Sequence, residues 1–269
     1  MSVLSYEQTG AVVTLTLDDP ATRNSLSGNS AVEEFVAACR RIEADMTVRA
    51  VILTGAGPAF SAGGNLRALR ENWRGATEAA VVRRRLRTDV QQITLNLHAL
   101  EVPLVAAVNG PAIGGGLDLA CVCDIRIASE RASFAANFVK VGMVPALGGA
   151  WLLPRIVGAA RAAQMCLTGQ VLGAEAALAH GLVSQVVPQE ELLPTANTIA
   201  QEIAAHPPEA LRMTKRLLRE PGTSFASHLE TAAAMQALAL QTAAHEEALD
   251  RLAQQTQSKR PRTTTETTR

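Results

Sequence analysis

Two stretches of almost bare backbone constrain this chain more than anything else in it. They are GPAFSAGGN, from Gly57 to Asn65, and NGPAIGGGLD, from Asn109 to Asp118. Each follows a short apolar run of strand character, VRAVILTG (Val48–Gly55) or PLVAAVNG (Pro103–Gly110), and each opens a helical pattern. Strand, glycine loop, helix and strand again is the alternation of an α/β core with parallel strands. The flanking segments agree with it. Ala11–Pro20 alternates β-branched and apolar residues and stops at Asp-Asp-Pro, a strand ending in a turn. Val32, Phe35, Val36, Cys39 and Ile42 fall at helical spacing, with Ser27 or Asn29 as caps. One longer helix is predicted over Glu78–Leu100, a short one over GGGLDLACVC and a strand at DIRIAS.

After about Ala146 the pattern turns mainly helical, with segments predicted at 149–157, 159–168, 173–180, 189–206, 207–219 and 224–255. Pro207 and Pro208 stand where a helix begins. This divides the chain into a core over 1–200, a helical C-terminal region over 201–256 and a tail over 257–269. The many Ala and Leu of the helical region point to a surface buried by another subunit. The tail, ending SKRPRTTTETTR, has almost no apolar content and is expected to be disordered.

Bare backbone at the start of a helix is itself a reagent. Gly114, Gly115 and Gly116 sit where the first amides have no intrahelical acceptor and the helix dipole adds about half a positive charge. Without a Cβ in the way, a phosphate or a carbonyl oxygen turning negative can approach those amides. Gly63 and Gly64 offer the same service from the first loop. Two donors converging on one oxygen would form an oxyanion hole, each typically worth about a hundredfold in rate. Close helix–strand packing is the alternative use of such glycines. Asp118 lies three residues after Gly115, on the same helical face at roughly 5–6 Å between Cβ positions. From there a carboxylate could move a proton on the carbon next to the bound oxygen. Its alternative role is a cap or ion pair within the core.

Composition excludes several other classes. The chain of 269 residues is 48% hydrophobic and 19% charged, enough for a sizeable core. A formal net charge of zero and 3% aromatic residues leave neither an electrostatic footprint nor stacking platforms for nucleic acid. The four cysteines, Cys39, Cys121, Cys123 and Cys166, form no CxxC pair and read as buried thiols of a reducing compartment. The N-terminus lacks a signal pattern, and no apolar run approaches the roughly 20 residues that span a bilayer. A cytoplasmic protein with no membrane partner is expected.

The motifs AFSAGGNL, VAAVNGPAIGGGLDLACVCDIRIAS and ASFAANFVKVGMVPALGGAWLLPRIVG, in that order, resemble the crotonase superfamily, the enoyl-CoA hydratase/isomerase family. The likeness runs from about Val12 to Pro188. It implies a spiral of ββα turns with a helical C-terminal region used in trimer assembly, often as a dimer of trimers. It also implies an acyl-CoA substrate, so that coenzyme A is part of the substrate and neither a separate cofactor nor a metal is expected. The thioester oxygen would lie between the backbone amides of Gly64 and Gly115, beside Gly114. CoA contacts would fall at Arg23, Ser25, Leu26, Ala62, Asn65 and Leu66, with Lys215 and Lys259 near CoA phosphates in an assembled trimer.

The chain departs from that family where acids are concerned. Of the two glutamate positions of its hydratases, the first is Asp118 here and the second is Phe138. The acid that several isomerases carry after Val-Pro is Ala146, and Asn65 replaces a commoner Asp. Hydration needs a water oriented and a proton delivered, which suits two carboxylates. Moving a double bond needs one base that removes a proton and returns it. The expectation is therefore isomerase-like proton shuttling on an enoyl-CoA by Asp118, with a 2-enoyl-CoA hydratase and a catalytically impaired acyl-CoA-binding homologue as alternatives. Phe138 should dry the pocket and raise the pKa of Asp118. Trp151 reads as core packing, Asp124 as structural, and Arg83–Arg87 as a solvated face. A serine hydrolase is the rival class, because AFSAG is a variant nucleophile elbow at Ser61, with Asp118 or Asp124 and His180 as partners. No G-x-G-x-x-G supports a dinucleotide site.

Overall fold

A computed structural model describes residues 2–65, 68, 78–219 and 224–258. Its strands are β1 (Leu4–Thr9), β2 (Val12–Leu17), β3 (Ala50–Gly55), β4 (Leu104–Val108), β5 (Ala112–Ile113), β6 (Ile125–Ser129), β7 (Ser133–Ala135), β8 (Leu172–Gly173) and β9 (Gln185–Val187). Its helices are α1 (Ala31–Ala44), α2 (Ala79–Thr88), α3 (Gln91–Ala99), α4 (Gly115–Val122), α5 (Gly149–Val157), α6 (Ala159–Thr168), α7 (Ala174–Ala179), α8 (Leu192–Ala204), α9 (Pro208–Arg219), α10 (Phe225–Ala239) and α11 (Ala243–Ser258).

Period-two alternation makes the large sheet apolar on both faces. Val13, Leu15, Val51, Leu53, Leu104 and Ala106 point into one core, together with Phe35, Cys39 and Ile42 of α1. The intervening Val12, Ala50, Ile52, Val105 and Ala107 point the other way, against Leu192, Ala196 and Ala200 of α8. Such two-sided burial is what a parallel sheet requires. The sheet runs β1-β2-β3-β4-β6-β9, antiparallel only between β1 and β2.

A smaller sheet, β5-β7-β8, turns this into a spiral. The chain passes from β4 in the large sheet to β5 in the small one and then into α4. It repeats the step with β6 and β7. One turn earlier, Ser61 forms an isolated parallel bridge with Ala112, so the first glycine loop takes the corresponding place beside β5. The ββα spiral is thus present, and the two glycine loops are stacked in successive turns of it.

The chain forms two compact units, Met1–Ala204 and Ala205 onward. The first holds both sheets. Among the described residues the second holds only α9, α10 and α11. No described helix is long and apolar enough to cross a membrane.

Several local expectations change. The helix predicted over Glu78–Leu100 is broken into α2 and α3 at Asp89, whose φ of −116° and ψ of −113° leave the helical region. Thr88 and Val90 are β-branched and Asp competes for local hydrogen bonds, so propensity is weakest there. The predicted 224–255 helix likewise divides into α10 and α11. Two short strands, β8 and β9, interrupt the stretch read as helical. The cap of α1 is Ser30, while Asn29 Oδ1 accepts the Ala31 amide at 3.1 Å. Trp151 is not core: it is 41% exposed, with the Arg155 guanidinium 3.8 Å over its ring. Lys259 and the tail from residue 259 lie outside the described residues.

Candidate active site

The two glycine loops are sewn together through their backbones. Phe60 N and Ser61 N donate to Pro111 O, both at 3.1 Å, and Ile113 N donates to Ser61 O at 3.0 Å. A third strand of chain joins them. Ala62 N donates to Arg23 O and Leu26 N to Gly63 O, both at 2.8 Å. The approach is so close that side chains are excluded. A Cβ on Gly63, whose φ is +76°, would lie 2.6 Å from Ile113 O, and one on Gly116 would collide with Ser61 O.

Two buried asparagines, which the sequence reading passed over, hold the first loop in place. Asn24, at a φ of +58°, donates from Nδ2 to Ala56 O and Ala59 O at 2.9 and 2.8 Å. Asn109 Nδ2 donates to Gly57 O at 3.0 Å, while its Oδ1 accepts Gly55 N at 3.2 Å. Asn109 had a sequence signal, an Asn beside a glycine-rich turn where a short amide side chain substitutes for missing backbone partners, whereas Asn24 stands in ATRNSLS far from either loop in sequence.

Most amides of the loops are spent on this stitching. Ala62 N goes to Arg23 O, Gly63 N to Ser61 Oγ, Asn65 N to Ser27 Oγ and Gly114 N to Ala135 O. The amides of Gly64 and Gly115 have no protein acceptor among the described residues, and Gly115 N opens α4. Both glycines line both of two adjoining hollows. One, of about 330 Å³, is walled mainly by Gly28, Leu86, Val90, Phe138, Val144 and Leu147. The other, of about 480 Å³, is bordered by Ala21, Thr22, Ala62, Asn65, Gly114 and Asn137. Each falls in the size range of small-molecule sites. Gly64 and Gly115 stand where the hollows meet.

The remaining predicted residues divide. Ala62, Asn65 and Gly114 border the second hollow, and Phe138 faces both. Arg23 is exposed and lines neither, though its neighbour Thr22 borders the second. Ser25 and Leu26 are buried beneath the loops and line neither. Leu66 lies outside the described residues. Of the arginine run, Arg85 reaches the first hollow, and Arg83 and Arg87 border a shallow groove on α2. Lys215 is buried on α9. Asp124 is structural: its Oδ2 accepts the Leu104 amide at 2.8 Å.

Asp118 is one turn behind Gly115, as its spacing predicts, but lines neither hollow. It is 1% exposed, and its carboxylate lies against the start of α5, where a Cβ on Gly149 would collide with Oδ1. Its Oδ2 has no hydrogen-bond partner. Burial pushes its pKa up to about 7, and the backbone amides of Gly149 and Leu147 offset part of that rise. The predicted direction is present. Its cause is burial in the core beside α5, since Phe138 faces cavities that Asp118 does not reach. Burial likewise pushes the nearby Cys121 thiol up to about 12, as an inert core cysteine requires.

Ser61 is no nucleophile here. It is fully buried, and its Oγ donates to Asn24 O at 2.7 Å, so no histidine stands ready to take its proton.

Residues 7–259 match the enoyl-CoA hydratase/isomerase family profile. The chain belongs to the enoyl-CoA hydratase/isomerase family. A putative enoyl-CoA hydratase of Thermus thermophilus is 40% identical over 210 residues, covering 78% of this chain and 81% of that protein. The 1,2-epoxyphenylacetyl-CoA isomerase of Escherichia coli is 37% identical over 224 residues, covering 82% and 83%. The crystal structure of an enoyl-CoA hydratase from Bacillus anthracis superposes with a TM-score of 0.88 at 31% identity, over 94% of this chain and 97% of that one. Membership makes the chain an acyl-CoA enzyme of the crotonase fold, and its relatives' names include both hydration and isomerisation.

Proposed function

We propose that this family member binds an acyl-CoA thioester across the junction of the two hollows, with the thioester oxygen accepting from Gly64 N and Gly115 N. The acyl chain enters the apolar hollow beside Phe138 and Leu147. The pantetheine arm leaves past Ala62 and Asn65. The observation that carries this reading is the pair of glycines, one from each loop, that line the same space and whose amides have no acceptor among the described residues. A proton lost from the α-carbon leaves negative charge on that oxygen, which the two preorganised donors stabilise at no reorganisation cost.

The reaction that fits is a double-bond shift in an enoyl-CoA carried by a single carboxylate. Phe138 and Ala146, apolar and facing the first hollow, leave no second acid at the positions where hydratases and isomerases of the family carry one. Asp118 holds the motif position for the remaining acid, and a pKa near 7 suits a proton carrier at neutral pH. At rest, however, it lies against α5.

The test is a panel of short, medium and long 2-enoyl-CoA and 3-enoyl-CoA thioesters, followed by mass and ultraviolet absorbance. Isomerisation converts a 3-enoyl-CoA to its conjugated isomer without change of mass. Gain of the mass of water by 2-enoyl-CoAs, at rates above isomerisation, would make the chain a hydratase instead. Binding without turnover would make it a non-catalytic homologue. Asp118→Asn with undiminished isomerisation would remove Asp118 from the chemistry.

A further inference from the structure

We infer that Asp89, at the break between α2 and α3, is the carboxylate that carries the proton in the acyl cavity. This rests on the isomerase-like reading above but moves its base from Asp118, which lines neither hollow, to Asp89, which lines the first. Among the described residues lining the apolar hollow, the ionisable ones are Arg85 and Asp89, and Asp89 is the sole carboxylate. The same wall system includes Gly64 and Gly115, so a thioester held on their amides has its acyl carbons in the space that Asp89 borders.

The backbone is built to present it there. Asp89 N still donates to Arg85 O at 2.8 Å, closing α2, while Gln92 N donates to Asp89 O at 2.7 Å, opening α3. The side chain is therefore at a corner where neither helix conceals it. Gln91, two residues on, donates from Nε2 to Ala146 O at 2.8 Å, which ties this corner to the opposite wall of the hollow.

The charged group that acts on Asp89 is Glu33 from α1; Arg85 from α2 lines the same hollow, and the wall formed by Met143, Val144, Ala146 and Leu147 brings no charge. Asp89 keeps contact with solvent, and partial desolvation beside the hollow raises its pKa above the ordinary carboxylate value, with the negative charge of Glu33 adding to the rise. Both effects favour a group that accepts and returns a proton.

The step balances without a co-reactant. Asp89 carboxylate takes a proton from the α-carbon of a 3-enoyl-CoA. The C–H electron pair moves into the conjugated dienolate, whose oxygen is held by the two amides. The carboxylic acid then returns the proton to the γ-carbon, the double bond settles between the α- and β-carbons, and the carboxylate is regenerated.

The experiment follows 3-enoyl-CoA thioesters in D₂O, reading both conversion and deuterium in the acyl chain, for the wild type and for Asp89→Asn, Asp89→Glu and Glu33→Gln. Asp89→Asn is expected to lower both readouts by about 100-fold or more, within the usual range for loss of a general base. Its Kd for a saturated acyl-CoA should stay within about threefold, and Asp89→Glu should recover part of the rate. Glu33→Gln is expected to keep the maximal rate and move the acid limb of kcat/KM to lower pH, because it removes a like charge. An active wild type with Asp89→Asn inside about threefold of it overturns the assignment and leaves the isomerase reading standing. Rate and binding lost together in Asp89→Asn overturn it as well, since the residue then only supports the wall. A wild type that neither converts nor exchanges any thioester of the panel sinks the reading itself, and the assignment with it.

Discussion

Asp118 carries an electrostatic burden that two backbone amides only partly relieve. Its pKa in the folded chain is about 7 against an ordinary value of 3.8, so between those values the folded state holds a proton that the unfolded chain has released. Stability from this group is full below about pH 4 and is lost as pH rises through 7. The cost of the ionised form is on the order of 4 kcal/mol at its limit. In urea unfolding, Asp118→Asn should therefore gain on the wild type from about pH 4 to pH 7, with a constant difference above. A difference that does not vary with pH would return Asp118 to ordinary titration. Its partner position is equally testable. Gly149 leaves no room for a Cβ against Asp118 Oδ1, so Gly149→Ala should destabilise by about 1–3 kcal/mol. Combining it with Asp118→Ala should recover much of that loss in a double-mutant cycle. Additive losses would mean that the two do not touch.

At the scale of elements, the junction between the glycine loops is what the site depends on. Gly63 faces backbone atoms, Ile113 O at 2.6 Å and Gly115 N at 2.7 Å from a built Cβ, and backbone cannot swing aside as a side chain would. Gly63→Ala is expected to separate the two unpaired amides and lower turnover by about 100-fold, the usual cost of one lost oxyanion donor. Turnover unchanged in this variant, measured on the best thioester, would detach the loop junction from catalysis. Much of this junction was legible beforehand. Strand, glycine loop and helix repeat at two places, and the position of Gly115 at the start of α4 follows from the pattern alone. Gly64 and Gly115 were singled out as amide donors by the family resemblance alone; spacing and composition did not separate them from Gly63 and Gly116, whose close packing depends on which carbonyl of a neighbouring spiral turn each glycine meets. Asp89 was hidden for a related reason. Apolar spacing across Glu78–Leu100 reads as one helix, and the break that turns Asp89 toward the hollow is decided by tertiary contacts such as Gln91 to Ala146. The role of Asp118 was read from its helical face, but a face does not say which of two neighbours, cavity or α5, the carboxylate will meet.

At the scale of the whole molecule, apolar surface is left uncovered in each unit. In the first, Leu167 at the end of α6 is 76% exposed and Val171 just beyond it 60%. In the second, Leu218 and Phe225 are exposed to 83% and 78%. Scattered exposed leucines are ordinary, but paired large aliphatics beside a helix end are the composition of an interface. The resemblance read from the motifs implies assembly into trimers, for which these side chains would supply apolar contact at about 25 cal/mol per Å² buried. The chain is accordingly expected to sediment at three or six times its monomer mass. The variant Leu167→Glu/Val171→Glu should lower that mass toward the monomer, because it would bury two unpaired charges in the contact. A wild type that is monomeric at micromolar concentration would refute the assembly outright. An assembled wild type whose mass the double variant leaves unchanged would move the interface elsewhere, with the exposed side chains of α9 and α10 as the next surface to substitute.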